Sequence, residues 1–110
     1  VVAREAGLAH WEVCWQSAGR TADEWLGPDL LQVLPSLAAR GVPAVVVCPA
    51  GFVSDHLEVL YDVDIEARAI AEQAGLAFAR TASLNADPRL CEVLAGVVLE
   101  AVGVPSGTAG

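Results

Sequence analysis

The sequence predicts an α/β fold in three layers, a parallel sheet with helices on both of its faces. Short apolar runs typical of strands alternate along the chain with helical segments, an order found in parallel sheets with right-handed crossovers. The central apolar run is continuous rather than alternating, which indicates a buried parallel strand. With 110 residues and 55% hydrophobic content, the chain has room for one core and no second module.

The first segment predicts the end of a helix followed by a strand. Residues 1–7 contain neither an initiator methionine nor a signal-peptide pattern, so we expect a helix whose beginning lies upstream in a longer protein. The domain is then incomplete, with its first strand also upstream. Within 10–17, Trp11, Val13 and Trp15 stand at alternate positions, which is the period of a strand.

A helix and a second strand are predicted next. Pro28 and Asp29 open the helix, Gly41 ends it, and Pro35 inside it predicts a kink or a break. The run over 42–48 predicts a parallel strand covered on both faces. The expected buried face of the helix consists of Leu30, Leu31, Leu34, Leu37 and Ala38.

The remaining chain predicts a helix over 55–73 closed by Gly75, a strand over 76–81, a helix over 88–102 and a flexible tail over 104–110. The domain itself is expected to span 1–103. Ligands of parallel α/β sheets bind beyond the carboxyl ends of the strands. The positions that follow the three predicted strands, and so fall on that edge, are 16–17, 49–55 and 82–85.

Charge and cysteine usage exclude several classes of protein. Fourteen acidic and six basic residues give a net charge of −8, which disfavours nucleic acid as a partner. The uncharged stretch over 41–54 contains two prolines and is shorter than the roughly 20 residues of a membrane span. Cys14, Cys48 and Cys91 form no C-x-x-C pair, so we expect buried free thiols in a reducing cytoplasm and no iron–sulfur cluster.

Five acidic residues lie within the twelve positions 55–66. On an α-helix, Glu58, Asp62 and Glu66 occupy successive turns of one face. One interpretation is a capping box formed by Asp55 and Glu58 and a solvated face. The other is a row of carboxylates that binds a hydrated divalent cation loosely. The opposite arc carries Val59, Leu60, Val63, Ala67, Ile70 and Ala71.

The other polar and aromatic candidates are weaker on their own. A single histidine such as His10 or His56 is more often a hydrogen-bonded structural residue than a ligand. Trp25 stands in a polar loop, where it is either an anchor or a lid over a flat aromatic ligand. The residues Asn85, Asp87 and Arg89 indicate turn and cap chemistry.

Taken together, four segments resemble the ferrochelatase family, in the family's order, and the resemblance covers 10–102. The acidic stretch over 51–66 resembles the most characteristic segment of that family. The other three are Trp15-Gln16-Ser17, Trp25-Leu26-Gly27-Pro28, and Ser83-Leu84-Asn85 followed by Pro88. This chain is similar to the carboxyl-terminal half of a chelatase-like protein.

The resemblance implies insertion of Fe²⁺, a substrate, into protoporphyrin IX or coproporphyrin III during heme biosynthesis. It implies a catalytic role for Glu58, opposite a histidine upstream of Val1, and binding of iron or hydrated Mg²⁺ by Glu58, His56, Asp62 and Glu66. The residues that it places around the porphyrin are Gln16, Ser17, Trp25, Phe52 and His56.

The same resemblance implies that the chain works with a missing amino-terminal half and that the 110-residue piece alone is inactive. Two alternatives remain open. One is a non-catalytic chelatase-like domain that binds divalent cations or a tetrapyrrole. The other is a doubly wound regulatory domain whose acidic helix faces solvent.

Overall fold

The computed structural model describes residues 1–16 and 27–104, which form an α/β fold. The two strands pair in parallel, with Ala44 opposite Ala77 and Val47 opposite Arg80. The predicted fold class, an incomplete α/β domain with a parallel sheet, is confirmed. In chain order the elements are α1 (Val2–Glu5), α2 (Leu30–Ala39), β1 (Ala44–Val47), a π-helix (Val59–Ala67), α3 (Arg68–Gln73), β2 (Ala77–Arg80) and α4 (Pro88–Ala101).

The predicted strand over 10–17 is wrong for its described part. Trp15 makes only an isolated parallel bridge, in which its N–H donates to Pro28 O (2.9 Å) and its carbonyl accepts from Leu30 N (2.7 Å). Trp11 is 64% exposed. An alternating pattern forms a strand only where a neighbouring strand completes the hydrogen-bond ladder, and among the described residues no ladder extends beyond Trp15.

The helix before β1 begins and ends as predicted. Asp29 caps α2 by accepting a hydrogen bond from Leu31 N (2.8 Å), and Gly41 follows it with φ +80°, a left-handed conformation that glycine adopts without steric cost. The helix is continuous through Pro35, so of the predicted kink or break, the break is wrong. A proline removes its own N–H from the ladder, and the buried side chains around it hold the helix in place.

The core lies between α2, the π-helix, α3 and one face of the sheet. Its buried cluster consists of Leu30, Leu34, Val63, Ala67, Ala71 and Leu76, against which Val45, Val47 and Phe78 pack from the strands. On the opposite face Val46 is 67% exposed, so the expected coverage of β1 is met on one face only in the described residues. Helix α4 likewise has no buried residue within the described ranges.

The predicted helix over 55–73 exists but begins at Leu57 and is wound in two ways. In a π-helix each N–H donates to the carbonyl five residues earlier, as Arg68 N does to Val63 O. The α-helical periodicity expected for the acidic stretch is therefore wrong over Val59–Ala67. Gly75, with φ +76°, ends the helical segment as predicted.

All three cysteines are free, as predicted, but their predicted burial is wrong for two of them. Cys48 is exposed because it follows the last residue of β1, and Cys91 is exposed on α4. Cys14 is half-buried, and burial together with the charges of Glu12 and Asp29 raises the pKa of its thiol. The raised pKa favours the protonated form of that thiol at neutral pH.

Of the flexible tail predicted over 104–110, only Val104 is among the described residues. Among the helices of 1–16 and 27–104, none combines the length and the hydropathy that a bilayer-crossing segment requires.

Candidate functional site

The loops that follow β1 and β2 meet at the carboxyl edge of the sheet. Asn85 N donates to Val53 O (2.8 Å), and Asp55 N donates to Asn85 Oδ1 (2.9 Å). Asn85 has φ +49°, a left-handed conformation that asparagine tolerates better than most residues and that suits a turn. Two of the three predicted edge positions, 49–55 and 82–85, are therefore adjacent in space.

Asp55 is the centre of the hydrogen bonds at this edge. Its carboxylate accepts from Ser83 Oγ (2.8 Å), Asn85 Nδ2 (3.2 Å) and Arg80 Nη1 (3.3 Å). The hydrogen bonds from Ser83 and then Asn85, aided by the charge of Arg80, lower the pKa of Asp55. The carboxylate is therefore ionised at neutral pH and fixed between two loops.

His56, rather than Asp55, caps the start of the acidic helix. Its Nδ1 accepts from Glu58 N (3.2 Å), so the predicted capping box of Asp55 and Glu58 is wrong. The imidazole also contacts the ring of Phe52 edge-on, with ring centroids 4.2 Å apart and an interplanar angle of 75°. An imidazole that accepts at Nδ1 carries its proton on Nε2 when neutral.

The predicted acid row flanks the buried face of the helix instead of lying opposite to it. Glu58 is exposed, whereas Asp62 and Glu66 are half-buried. Leu60, expected on the apolar arc, is 44% exposed. Each acid directly precedes a residue of a second row, which is fully buried. This second row consists of Val59, Val63 and Ala67 and continues to Ala71 in α3.

The acid row is extended rather than gathered around a point. In the part of the chain that the structure describes, no group of three or more His, Cys, Asp or Glu side chains is arranged around a common metal position. Carboxylates spaced along a helix can each hold a cation through its water shell, and release it more easily than a closed site does.

An ion pair that sequence reasoning missed lies beside this row. Arg80 donates to Asp64 through Nε (2.5 Å) and Nη2 (2.8 Å), and the two side chains are 14% and 28% exposed. The hydrogen bond from Arg80 lowers the pKa of Asp64, and the same bond raises that of Arg80. The signal was present: Arg80 stands two positions after Phe78, on the inward face of an otherwise apolar strand.

The remaining predicted porphyrin residues are on the first part of the chain. Gln16 is half-buried, and its amide Nε2 is buried without a hydrogen-bond partner among the described residues. Ser17 and Trp25 lie outside the described residues. The structure thus brings Phe52, His56 and Glu58 together at the helix start.

A family model for ferrochelatase matches residues 1–102, nearly the whole chain. The chain belongs to the ferrochelatase family. It is 46% identical over 99 residues to a protein of Anoxybacillus flavithermus named coproporphyrin III ferrochelatase, covering 89% of this chain and 31% of the relative. Proteins of the same name from Mycobacterium tuberculosis (strain H37Rv) and Geobacillus kaustophilus are also 46% identical, over 91% and 90% of this chain and 29% and 32% of their own lengths.

The chain therefore spans about a third of the length of these curated ferrochelatases. The matched region includes the two loops that meet at the sheet edge, 49–55 and 82–85, and also Gln16. The resemblance predicted from the four sequence segments is confirmed.

Proposed function

We propose that the complete protein inserts Fe²⁺ into a porphyrin in heme biosynthesis in the cytoplasm, and that this chain supplies the acidic half of the cleft. The observation that supports this most is the row of Glu58, Asp62 and Glu66, which starts beside the sheet edge on a helix of a ferrochelatase-family chain. Because the relatives are named coproporphyrin III ferrochelatases, we propose coproporphyrin III as the substrate rather than protoporphyrin IX.

Glu58 is proposed as the residue that accepts protons from the porphyrin. The macrocycle loses two pyrrole protons as the metal exchanges its water shell for four nitrogens, and a positioned carboxylate can act as the base. Glu58 is suited to this role because His56 fixes its backbone N–H at the helix start while its side chain is exposed. A histidine upstream of Val1 is proposed to act from the opposite wall, so the 110-residue chain alone should be inactive.

Asp62 and Glu66, with His56 and Glu58, are proposed to hold hydrated cations on their way to the porphyrin. Carboxylate oxygens suit hard and borderline dications and permit them to retain water. Hydrated Mg²⁺ is proposed to bind the same row when iron is absent. The extended spacing of the row supports transfer of an ion rather than its permanent storage.

Phe52 and His56 are proposed to contact the macrocycle. Their edge-on pair presents aromatic surface beside the helix start, and a flat ligand gains binding free energy when it packs against aromatic rings. The buried amide Nε2 of Gln16 has no acceptor among the described residues, and a porphyrin side-chain carboxylate can supply one. Ser17 and Trp25 are proposed to complete this contact.

The exchange Glu58→Gln in the full-length protein tests the proposed function. It removes the base but preserves the shape of the side chain, so we expect kcat for iron insertion to fall by about 100-fold or more. The rate is measured from the absorbance of the metalloporphyrin. Glu92→Gln, on the exposed helix α4, is the control and should leave the rate unchanged, whereas an unchanged rate for Glu58→Gln would contradict the assignment.

A further inference from the structure

We propose that Arg80 is a positioning residue of the cation row: its guanidinium fixes the π-helix to the carboxyl edge of the sheet and so sets the direction of Glu58, Asp62 and Glu66. This inference rests on the proposed function. Arg80 and its partners Asp64 and Asp55 are distinct from the residues assigned to iron or porphyrin above.

The guanidinium reaches three parts of the chain at once. Nε and Nη2 form a two-pronged contact with the Asp64 carboxylate, in the middle of the π-helix. Nη1 donates to Asp55 Oδ1 (3.3 Å), just before the helix, and to Thr81 O (3.1 Å), just after β2. A planar fork that engages a carboxylate with two parallel bonds restricts the orientation of both groups.

The strand end that carries Arg80 is itself fixed. Val47 pairs with Arg80 in the sheet, and Thr81 N donates to Val47 O (2.9 Å). The Arg80 side chain is only 14% exposed, so its position is defined by packing as well as by charge. Arg80 thereby links the end of β2 to the π-helix at Asp64, which lies between Asp62 and Glu66.

A π-helix has particular need of such a contact. Most π-helical segments are single turns, whereas this one extends over nine residues. Its buried row, Val59, Val63 and Ala67, holds it against the core along one side. Asp64 lies outside that row, and its bond to Arg80 fixes a second side of the helix to the sheet. Loss of the contact should therefore turn the acid row without unfolding the helix.

A second arginine of the chain provides a matched control. Arg89 forms the same two-pronged contact with Asp87, through Nε (3.0 Å) and Nη2 (2.9 Å). Its side chain is 88% exposed, and the two residues lie two positions apart at the start of α4. The pair has the geometry of Arg80 and Asp64 but joins no separate elements.

The experiment compares Arg80→Lys, Asp64→Asn and Arg89→Lys with the wild type in the full-length protein. Lysine keeps the charge of Arg80 but cannot form the fork. We expect both of the first two variants to raise KM for Fe²⁺ by about 10-fold, as for loss of a group that orients metal ligands. KM for the porphyrin should be unchanged, and Arg89→Lys should behave as the wild type.

Equilibrium binding of Mn²⁺, measured from the electron paramagnetic resonance signal of the free ion, provides a readout without turnover. We expect weaker Mn²⁺ binding in Arg80→Lys and Asp64→Asn only. Unchanged KM for Fe²⁺ and unchanged Mn²⁺ binding would overturn the proposal, as would equal rises of both KM values in parallel with lost thermal stability. If the wild type inserts no iron, the proposed function fails, and the Mn²⁺ comparison still decides the role of Arg80.

Discussion

At the scale of single residues, the sheet edge is fixed by two carboxylates that accept hydrogen bonds from side chains distant in the sequence. Arg80 joins Asp64 and Asp55, which lie 16 and 25 positions away from it. Asp55 in turn receives donors from Ser83 and Asn85. Each of these contacts depends on a carboxylate that remains charged, so the edge should respond to acid.

The exchange Asp64→Asn should cost about 1 kcal/mol of unfolding free energy at pH 7, since both partners retain some solvent contact. The folded-state pKa of Asp64 is lowered by its hydrogen bond to Arg80. The stabilisation is therefore fully present above the usual carboxyl pKa of about 3.9 and is lost as pH falls through the lowered value. Urea unfolding of wild type and variant at several pH values between neutral and strongly acidic measures the difference.

Asp87→Asn serves as the comparison for that measurement. Asparagine caps a helix as well as aspartate does, and the partner Arg89 is largely exposed, so a smaller loss is expected. If the difference between wild type and Asp64→Asn is as large at acidic as at neutral pH, the ion pair is not its source.

The residue scale is also where sequence reasoning was least reliable. The spacing of Asp55 and Glu58 predicts a capping box. Asp55 instead forms hydrogen bonds with the loop after β2, and His56 accepts the capping hydrogen bond from Glu58 N. Local spacing reveals which groups can reach a helix end. It does not reveal a competing donor some 30 residues away, because that depends on how the loops meet.

At the scale of elements, the helix that carries the acids is held by one row of small apolar residues. Val59, Val63 and Ala67 are fully buried, whereas Ile65 on the same helix is 60% exposed. Spacing of four residues along this row keeps it against α2 and the sheet. This buried row packs the helix against the core.

The exchange Val63→Ala should therefore cost about 2 kcal/mol of unfolding free energy, the sum of lost burial and a small cavity. Ile65→Ala, which removes a larger but exposed side chain, should cost less than about 0.5 kcal/mol. Denaturant unfolding of the two variants in the full-length protein measures both. Equal costs would show that the buried row does not anchor the helix.

The sequence predicted where the helices lie better than it predicted their hydrogen-bond register. Asp29, Gly41 and Gly75 mark helix ends through local chemistry, and the structure uses all three. No residue type specifies the five-residue hydrogen-bond register of the π-helix, so an α-helix was expected. The strand predicted around Trp15 failed for a related reason: a strand requires a neighbour, and its own sequence does not supply one.

At the scale of the whole molecule, the parallel pairing of β1 and β2 explains why the loops that form the candidate site meet at one edge of the sheet. The order of strands and helices predicted the fold class, and with it the meeting of 49–55 and 82–85 at one edge of the sheet. The sequence could not reveal that the described sheet would be covered on one face only. That depends on which segments pack together, and Val46 and most of the apolar residues of α4 are exposed here.

The proposed function depends on the acid row as the place where the metal approaches the porphyrin. The most direct measurement is an anomalous difference map from crystals of the full-length protein soaked in Mn²⁺. Peaks along the helix, beside Asp62 and Glu66, are the predicted result. Well-occupied Mn²⁺ elsewhere on the protein, with none along this row, would contradict it.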